Sequence, residues 1–323
     1  MRISARIVSY RTRGAWTIAR GSVSEVVCVI AEATDGTATG RGECRPYARY
    51  GETPEGVVAA IEALAPGEGF DRMALQSAMP AGAARNAVDC ALWDLEAKRS
   101  GRRVWDLAGL AAPGPLVTAF SLSLDTPDRM KAAAAENAHH PLLKVKLGGE
   151  GDLERLRAVR AGAPEARLIV DANEGWDAAR YTRLAPILAD LGVALVEQPL
   201  PADADGPLTD LPRPVPICAD EAAHDRSSLA GLVGRYDVVN LKLDKTGGLT
   251  EALAMRAEAE RAGFAIMVGC MLAGSLAMAP AVVLAQGAAV VDLDGPLLLA
   301  EDIEPGLKYD AAGVHPPQTE LWG

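Results

Sequence analysis

Apolar and polar residues follow two different rhythms along this chain, and the rhythm changes near residue 112. Before that point, residues 26–33 are rich in β-branched side chains. Asp35-Gly36 follows as a hairpin turn signal, then a second short strand toward Gly42. From Pro54 the period becomes helical, and across residues 82–99 Val88, Ala91, Leu92 and Leu95 share one face until Gly101 ends the run. Two or three strands followed by helices read as a small α+β domain. Beyond Leu116, eight short apolar runs alternate with Ala/Leu/Arg/Glu-rich helical stretches: residues 116–124, 142–147, 166–170, 193–196, 215–219, 238–243, 265–268 and 289–293. One strand and one helix in roughly 25 residues is the βα unit of a parallel barrel. After Asp294 the helical signal fades. The eighth helix is therefore expected to be short or missing, and the tail to Gly323 to be irregular and to pack back on the first domain.

A polar residue closes most of the runs: Lys146, Asp171, Glu197, Asp220, Lys242 and Asp292. In such a barrel the active site lies at the C-terminal ends of the strands. One carboxylate there would be an ordinary helix cap. Three in succession, Asp171, Glu197 and Asp220, each ending an apolar strand, point to hard oxygen ligands for octahedral Mg²⁺. Lys144 and Lys146 are two apart on the strand before them, so both ammonium groups face the barrel mouth. Like charges held close disfavour each other's protonated form, which can make one lysine a usable base. Lys242 lies across the barrel from Lys146, with the three carboxylate strands between. Lys245 is expected to point outward or to meet the next helix. Asp292 and Asp294 share a face on the eighth strand and could hold a second metal, a substrate ammonium, or the cap beside Gly295-Pro296.

Composition narrows the setting. In 323 residues, 49% are hydrophobic and 23% charged, enough for a large core. The net charge of -11 argues against a nucleic acid or an anionic membrane as partner. Five scattered cysteines, none in a CxxC pair, suit a reducing compartment. No signal peptide and no stretch of 18 apolar residues is seen, so a cytoplasmic protein is expected. GxGxxG, Walker A, HExxH and GxSxG motifs are absent. Lys245-Thr246-Gly247-Gly248 looks like a phosphate nest, though a βα turn that needs glycine explains it equally. None of the four histidines ends a barrel strand, and Cys270, at the end of the seventh, reads as a small buried thiol.

The constellation resembles the enolase superfamily and, within it, the muconate-lactonizing subgroup. That subgroup carries KxK on the second strand, Asp–Glu–Asp on the third to fifth and Lys on the sixth, matched here by Lys144/Lys146, Asp171, Glu197, Asp220 and Lys242. GECRPYARYGE (42–52), PAGAARNAVDCALWDL (80–95), VVNLKLDKTGGLTEALA (238–254) and Asp292-Leu293-Asp294 look like the dipeptide epimerases, in particular the L-Ala-D/L-Glu epimerases of murein-peptide recycling. The resemblance implies an α+β capping domain, residues 1–112 completed by the tail 309–323, on a (β/α)₇β modified TIM barrel, residues 113–308. It also implies one Mg²⁺ per subunit, a substrate carboxylate on that ion, and proton transfer through an enediolate by Lys146 and Lys242. Lys144 would tune Lys146, and Asp292 and Asp294 would bind the α-ammonium. A small dipeptide is the expected partner, and self-association into a homo-oligomer stays open.

One departure bears on specificity. Some Ala-Glu epimerases carry Arg at the x of an RGSxSE loop, where it meets the glutamate side chain. Here the segment is Arg20-Gly21-Ser22-Val23-Ser24-Glu25. Val23 cannot pair a carboxylate, so Arg20, Arg45 or Arg49 would have to substitute, or the second residue is not Glu. Residues 13–25 and 45–52, with Arg20, Val23, Tyr47 and Arg49, are expected to form the lid and choose the side chain. An o-succinylbenzoate synthase or cycloisomerase is the main alternative, but its substrate would give Asp292 and Asp294 no task. A Schiff-base lyase would leave the metal triad unexplained, and a non-catalytic scaffold would not need every part of the site.

Overall fold

A computed structural model describes residues 1–323. The chain opens with three antiparallel strands, β1 (Arg2–Ile18), β2 (Gly21–Thr34) and β3 (Thr39–Cys44), in the order β1-β2-β3. The Asp35-Gly36 turn joins β2 to β3, with Asp35 Oδ1 accepting from the N–H groups of Thr37 and Ala38. Helices α1 (Pro54–Glu62), α2 (Arg72–Ala78), α3 (Ala83–Ser100) and α4 (Val104–Leu107) follow. Thr53 caps α1 and Asp71 caps α2 through side-chain oxygens on first-turn N–H groups, and Gly101, at φ 66°, ends α3. Helix α3 lies directly on β3 because Gly40 and Gly42 present no side chain to it. A Cβ at Gly42 would sit 2.2 Å from the Ala87 carbonyl oxygen, and one at Gly40 2.1 Å from that of Ala91.

The remaining strands are parallel and follow chain order in one eight-stranded sheet: β4 (Phe120–Leu122), β5 (Leu142–Lys146), β6 (Arg167–Asp171), β7 (Val193–Glu197), β8 (Ile217–Ala219), β9 (Val238–Leu241), β10 (Ala265–Val268) and β11 (Val290–Val291). The sheet curls until its edges meet, where the Ala119 N–H donates to the Val291 carbonyl at 2.8 Å. Ala119, just before β4, and Leu142, Ile169, Leu195, Cys218, Val238, Met267 and Val290, one from each of the next seven strands, form a single buried cluster. Such a plug requires a closed barrel.

Helices α5 (Pro127–Glu136), α6 (Asp152–Gly162) and α7 (Ala178–Asp190) cover the first three crossovers. The fourth has only a 3₁₀ turn over Gly206–Thr209, because Pro199, Pro201, Pro207, Pro212, Pro214 and Pro216 deny the segment a helical run. The later crossovers carry α8 (Leu229–Leu232), α9 (Leu243–Thr246), α10 (Leu249–Arg261) and α11 (Ser275–Leu284). After β11 there is again only a 3₁₀ turn, Gly295–Leu298, in agreement with the faded helical signal there. A small hairpin, β12 (Tyr309–Asp310) with β13 (Gly313–Val314), leads into the tail. Trp322 is fully buried and donates its indole N–H to the Cys90 carbonyl on α3 at 3.0 Å. No helix is long and apolar enough to cross a membrane.

The Gly247-Gly248 segment is filled by the protein itself, so the phosphate-nest expectation is corrected. Arg85 on α3 donates to the Thr246 and Gly247 carbonyls at 2.8 and 3.1 Å, and the Asp89 carboxylate takes the Thr250 N–H at 2.9 Å. An anion does sit at the start of α10, but it comes from α3 and locks the first domain to the barrel.

Candidate active site

Two residues after each member of the apolar plug, the barrel interior turns polar. The series is Ser121, Lys144, Asp171, Glu197, Asp220, Asn240, Gly269 and Asp292. Alternation along each strand sends these side chains to the axis, while neighbours such as Val145, Val170 and Val196 pack outward into the main core. Lys146, Lys242 and Asp294 stand one step higher. Strand order β9-β8-β7-β6-β5 places Lys242 and Lys146 at the two ends of an arc of three carboxylates.

The contacts within this layer are short. Lys144 Nζ lies 2.6 Å from Glu197 Oε2, 2.7 Å from Asp292 Oδ2 and 3.3 Å from Asp171 Oδ2. Lys146 Nζ is 2.6 Å from Asp171 Oδ2, and Lys242 Nζ is 2.6 Å from Asp220 Oδ2. Lys245, expected to point outward or to meet the next helix, does neither with its ammonium. The α9 turn brings it back under the site, where its buried ammonium donates to Asp220 Oδ1 at 2.6 Å and to the Asn240 carbonyl at 3.1 Å.

Each of the three carboxylates therefore has one oxygen fixed by the protein and one left to a cation. Asp171 Oδ1 accepts from the Asn173 N–H at 2.9 Å, Glu197 Oε1 from Asn240 Nδ2 at 2.8 Å, and Asp220 Oδ1 from Lys245. The other three oxygens face Lys144, Lys146 and Lys242. Glu197 Oε2 lies close to Lys144 without the alignment of a hydrogen bond. In this conformation the carboxylates turn toward the ammonium groups and do not gather at metal-ligand distance around one point. The donor set nevertheless fits a hard divalent cation. Three monodentate carboxylate oxygens come from adjacent strands, and each partner oxygen is already pinned.

The electrostatics show how crowded the charges are. Burial alone would pull Lys144 down, but Asp292, Glu197 and Asp171 outweigh it and hold its pKa well above the ordinary lysine value. Lys242 goes the same way, with Asp220 and Glu197 overcoming burial. At Lys144 itself the balance is set by three carboxylates within 3.3 Å. Burial, then Asp171, pushes Glu197 up to about 7, and burial, then Asp292, pushes Asp294 up to about 7. Asp294 Oδ2 accepts the Ser121 N–H at 2.6 Å, while Asp292 Oδ1 is buried without a partner.

Above this floor is a cavity of about 760 Å³ whose far wall comes from the first domain. Trp16, Ile18, Arg20 and Val23 contribute from the β1–β2 hairpin, and Arg45, Tyr47, Arg49 and Tyr50 from the loop after β3. Arg20 reaches Glu221 at 2.8 Å, Glu174 at 3.3 Å and the Tyr47 hydroxyl at 3.2 Å. Arg49 grips Glu174 with two bonds of 2.7 and 2.6 Å. Asn173, Glu174 and Gln198 have φ of 45°, 67° and 36°, a left-handed backbone that side-chain-bearing residues seldom adopt, in the loops just after β6 and β7. Cys270 lines the cavity, with its thiol raised well above the usual range, chiefly by burial. Glu174, Glu221 and Gln198 escaped the sequence reading. The one available signal was position: Gln198 and Glu221 directly follow a strand-closing carboxylate, and Glu174 comes three residues after Asp171.

Comparison with known proteins places these residues in context. The model of the mandelate racemase / muconate lactonizing enzyme N-terminal domain matches residues 2–109, and that of the enolase C-terminal domain-like fold matches residues 128–318. An L-Ala-D/L-Glu epimerase of Escherichia coli (strain K12) is 48% identical over 304 residues, 93% of this chain and 95% of the relative. An N-acetyl-D-glutamate racemase of a Pseudoalteromonas species is 44% identical over 302 residues, 92% and 95% of the two chains. The crystal structure of an enolase family member from Agrobacterium tumefaciens, with homology to dipeptide epimerases and with sodium and L-Ala-L-Glu bound, is 56% identical, covers 99% of each chain and superposes with a TM-score of 0.97. Several structures of related dipeptide epimerases hold Mg together with a dipeptide.

Proposed function

This chain belongs to the mandelate racemase / muconate lactonizing enzyme family of the enolase superfamily, and from that premise we propose that it is a Mg²⁺-dependent dipeptide epimerase inverting the α-carbon of the second residue. The observation that carries the reading is the pair of lysines at opposite ends of one carboxylate arc, in the same cavity as Asp292 and Asp294. Asp171, Glu197 and Asp220 are the residues that would hold Mg²⁺. A divalent cation held there would supply positive charge beside the substrate carboxylate and so make the neighbouring α-proton easier to remove.

The protein's own groups supply the rest. Lys146 and Lys242 approach the α-carbon from opposite faces. One removes the proton and the other, already protonated, delivers one, with the roles exchanged for the other stereoisomer. Lys144, wedged among three carboxylates, is a fixed counter-charge and orienting group rather than a base. Asp292 and Asp294 take the α-ammonium of the first residue, and the unpartnered Asp292 Oδ1 supplies an acceptor for it. That atom favours a dipeptide over an N-acylated amino acid or a cycloisomerase substrate, which brings no ammonium. The hairpin 13–25 and loop 45–52 close the cavity from above. Five free cysteines, four of them buried, suit the cytoplasm.

The test is α-proton exchange in D₂O with Mg²⁺ and a set of L,L-dipeptides, Ala-Glu included, read by mass spectrometry. Deuterium should enter the second residue. In Lys146→Ala and in Lys242→Ala, uptake should vanish or be restricted to one stereoisomer, a different one in each. Uptake into N-acetylglutamate with none into any dipeptide would overturn the reading.

A further inference from the structure

Three arginines line the cavity from the first domain, and two are committed to protein carboxylates. Arg20 is held by Glu221 and Glu174, and Arg49 by Glu174. Arg45 forms no ion pair. Its guanidinium makes one hydrogen bond, from a terminal N–H to the Leu272 carbonyl at 3.2 Å, and lies 5.9 Å from the Tyr47 ring centre. A guanidinium has five N–H donors, so the other four have no protein acceptor.

The stem of Arg45 is fixed. Its backbone N–H donates to Asp244 Oδ1 at 3.0 Å, and the buried Asp244 is itself gripped by Asn86 Nδ2 at 2.8 Å. Cys44 on one side is fully buried, and Pro46 on the other is buried as well. Leu272, whose carbonyl Arg45 meets, lines the same cavity, as do the apolar Trp16 and Leu298.

We infer that Arg45 binds the side-chain carboxylate of the substrate's second residue, so that dipeptides acidic at that position are the favoured class. The inference rests on the dipeptide reading above. A partly buried, pre-positioned and unpaired guanidinium matches a carboxylate through two parallel hydrogen bonds. Recruiting Arg20 instead would strip a partner from Glu221, whose side chain is 1% exposed. Val23, neutral and on the rim, has no charge to offer. The task that other chains of this type give to an arginine in the hairpin is thus carried by the loop after β3.

The experiment compares kcat/KM for L-Ala-L-Glu and the near-isosteric L-Ala-L-Gln in the wild type, Arg45→Gln, Arg45→Lys and Arg49→Gln. Arg45→Gln should lower the value for Ala-Glu about 100-fold, mainly through KM, and leave Ala-Gln within about threefold, since a charge pair is lost from one complex only. Retained Ala-Gln turnover shows that the variant is folded. Arg45→Lys should fall between, and Arg49→Gln should affect both dipeptides alike by loosening the loop. An equal loss on both substrates in Arg45→Gln, or no loss on either, would overturn the inference. So would a wild type that prefers Ala-Gln, which leaves the epimerase reading standing. A wild type that exchanges no dipeptide at all overturns that reading, and this inference with it.

Discussion

Lys245 acts through Asp220, and nothing in its immediate sequence says so. Its target lies 25 residues back, and the contact exists only because the short α9 helix returns the side chain beneath β8. Asp171, Glu197 and Asp220 were legible because each closes an apolar run one βα unit from the next. The groups that pin them, Asn173 N–H, Asn240 and Lys245, were not, since pinning depends on where neighbouring strands end. Removing such a support usually weakens metal binding about 10- to 100-fold. Lys245→Met should therefore weaken Mg²⁺ binding by that order in a calorimetric titration of the folded protein. Unchanged affinity would show that Asp220 needs no help. The pairing of Arg20 and Arg49 with Glu174 was equally hidden, because it joins residues 154 and 125 apart.

At the scale of elements, helices were easier to read than their surroundings. The period across residues 82–99 gave α3, but burial on nearly every side of it follows from its seat between β3 and the barrel. Gly40 and Gly42 make that seat by their missing side chains, which a pattern of apolar positions does not register. Gly42→Ala should destabilise the protein by about 2 kcal/mol or more, because a methyl there meets a backbone carbonyl rather than a movable side chain. A urea midpoint equal to the wild type's would contradict this. The eight barrel strands were found by their β-branched runs, though the first and last prove shorter than their apolar stretches, at Phe120–Leu122 and Val290–Val291. The missing helix of the fourth crossover was written in six prolines that the repeat spacing masked.

For the molecule as a whole, Glu43 joins the two parts. Its Oε1 accepts the Gly274 N–H at 3.0 Å at the start of α11, with Cys28, Tyr10 and Asp302 around it. Burial is the largest influence on this carboxyl and pushes it up to about 7. An unfolded glutamate titrates near 4.3, so between those values the folded protein keeps a proton that the unfolded chain has lost. The stability from this proton is complete below the unfolded value and disappears as pH rises through the folded one. Each such group contributes up to about 1.4 kcal/mol per pH unit within the window. Glu43→Gln should flatten the fall in stability between about pH 5 and pH 7 by that one-proton slope, as measured by urea unfolding. Asp244, raised to about 7, and Asp89, raised to about 6, slope the same way, so some pH dependence should persist.

The seat of Trp322 on Cys90 joins positions 232 residues apart. Synthesis is directional, so α3 leaves the ribosome long before the residue that covers it. At about 5–20 residues per second, that apolar seat waits roughly 10 to 45 s while the barrel is made. Chains stalled short of residue 318 should accordingly leave the Cys90 side of α3 accessible to a thiol reagent even with the barrel strands complete, and protection of Cys90 at that stage would mean the seat closes without Trp322. The order of translation thus leaves the Cys90 side of α3 among the last surfaces to be covered, and during that interval it is a target for chaperones.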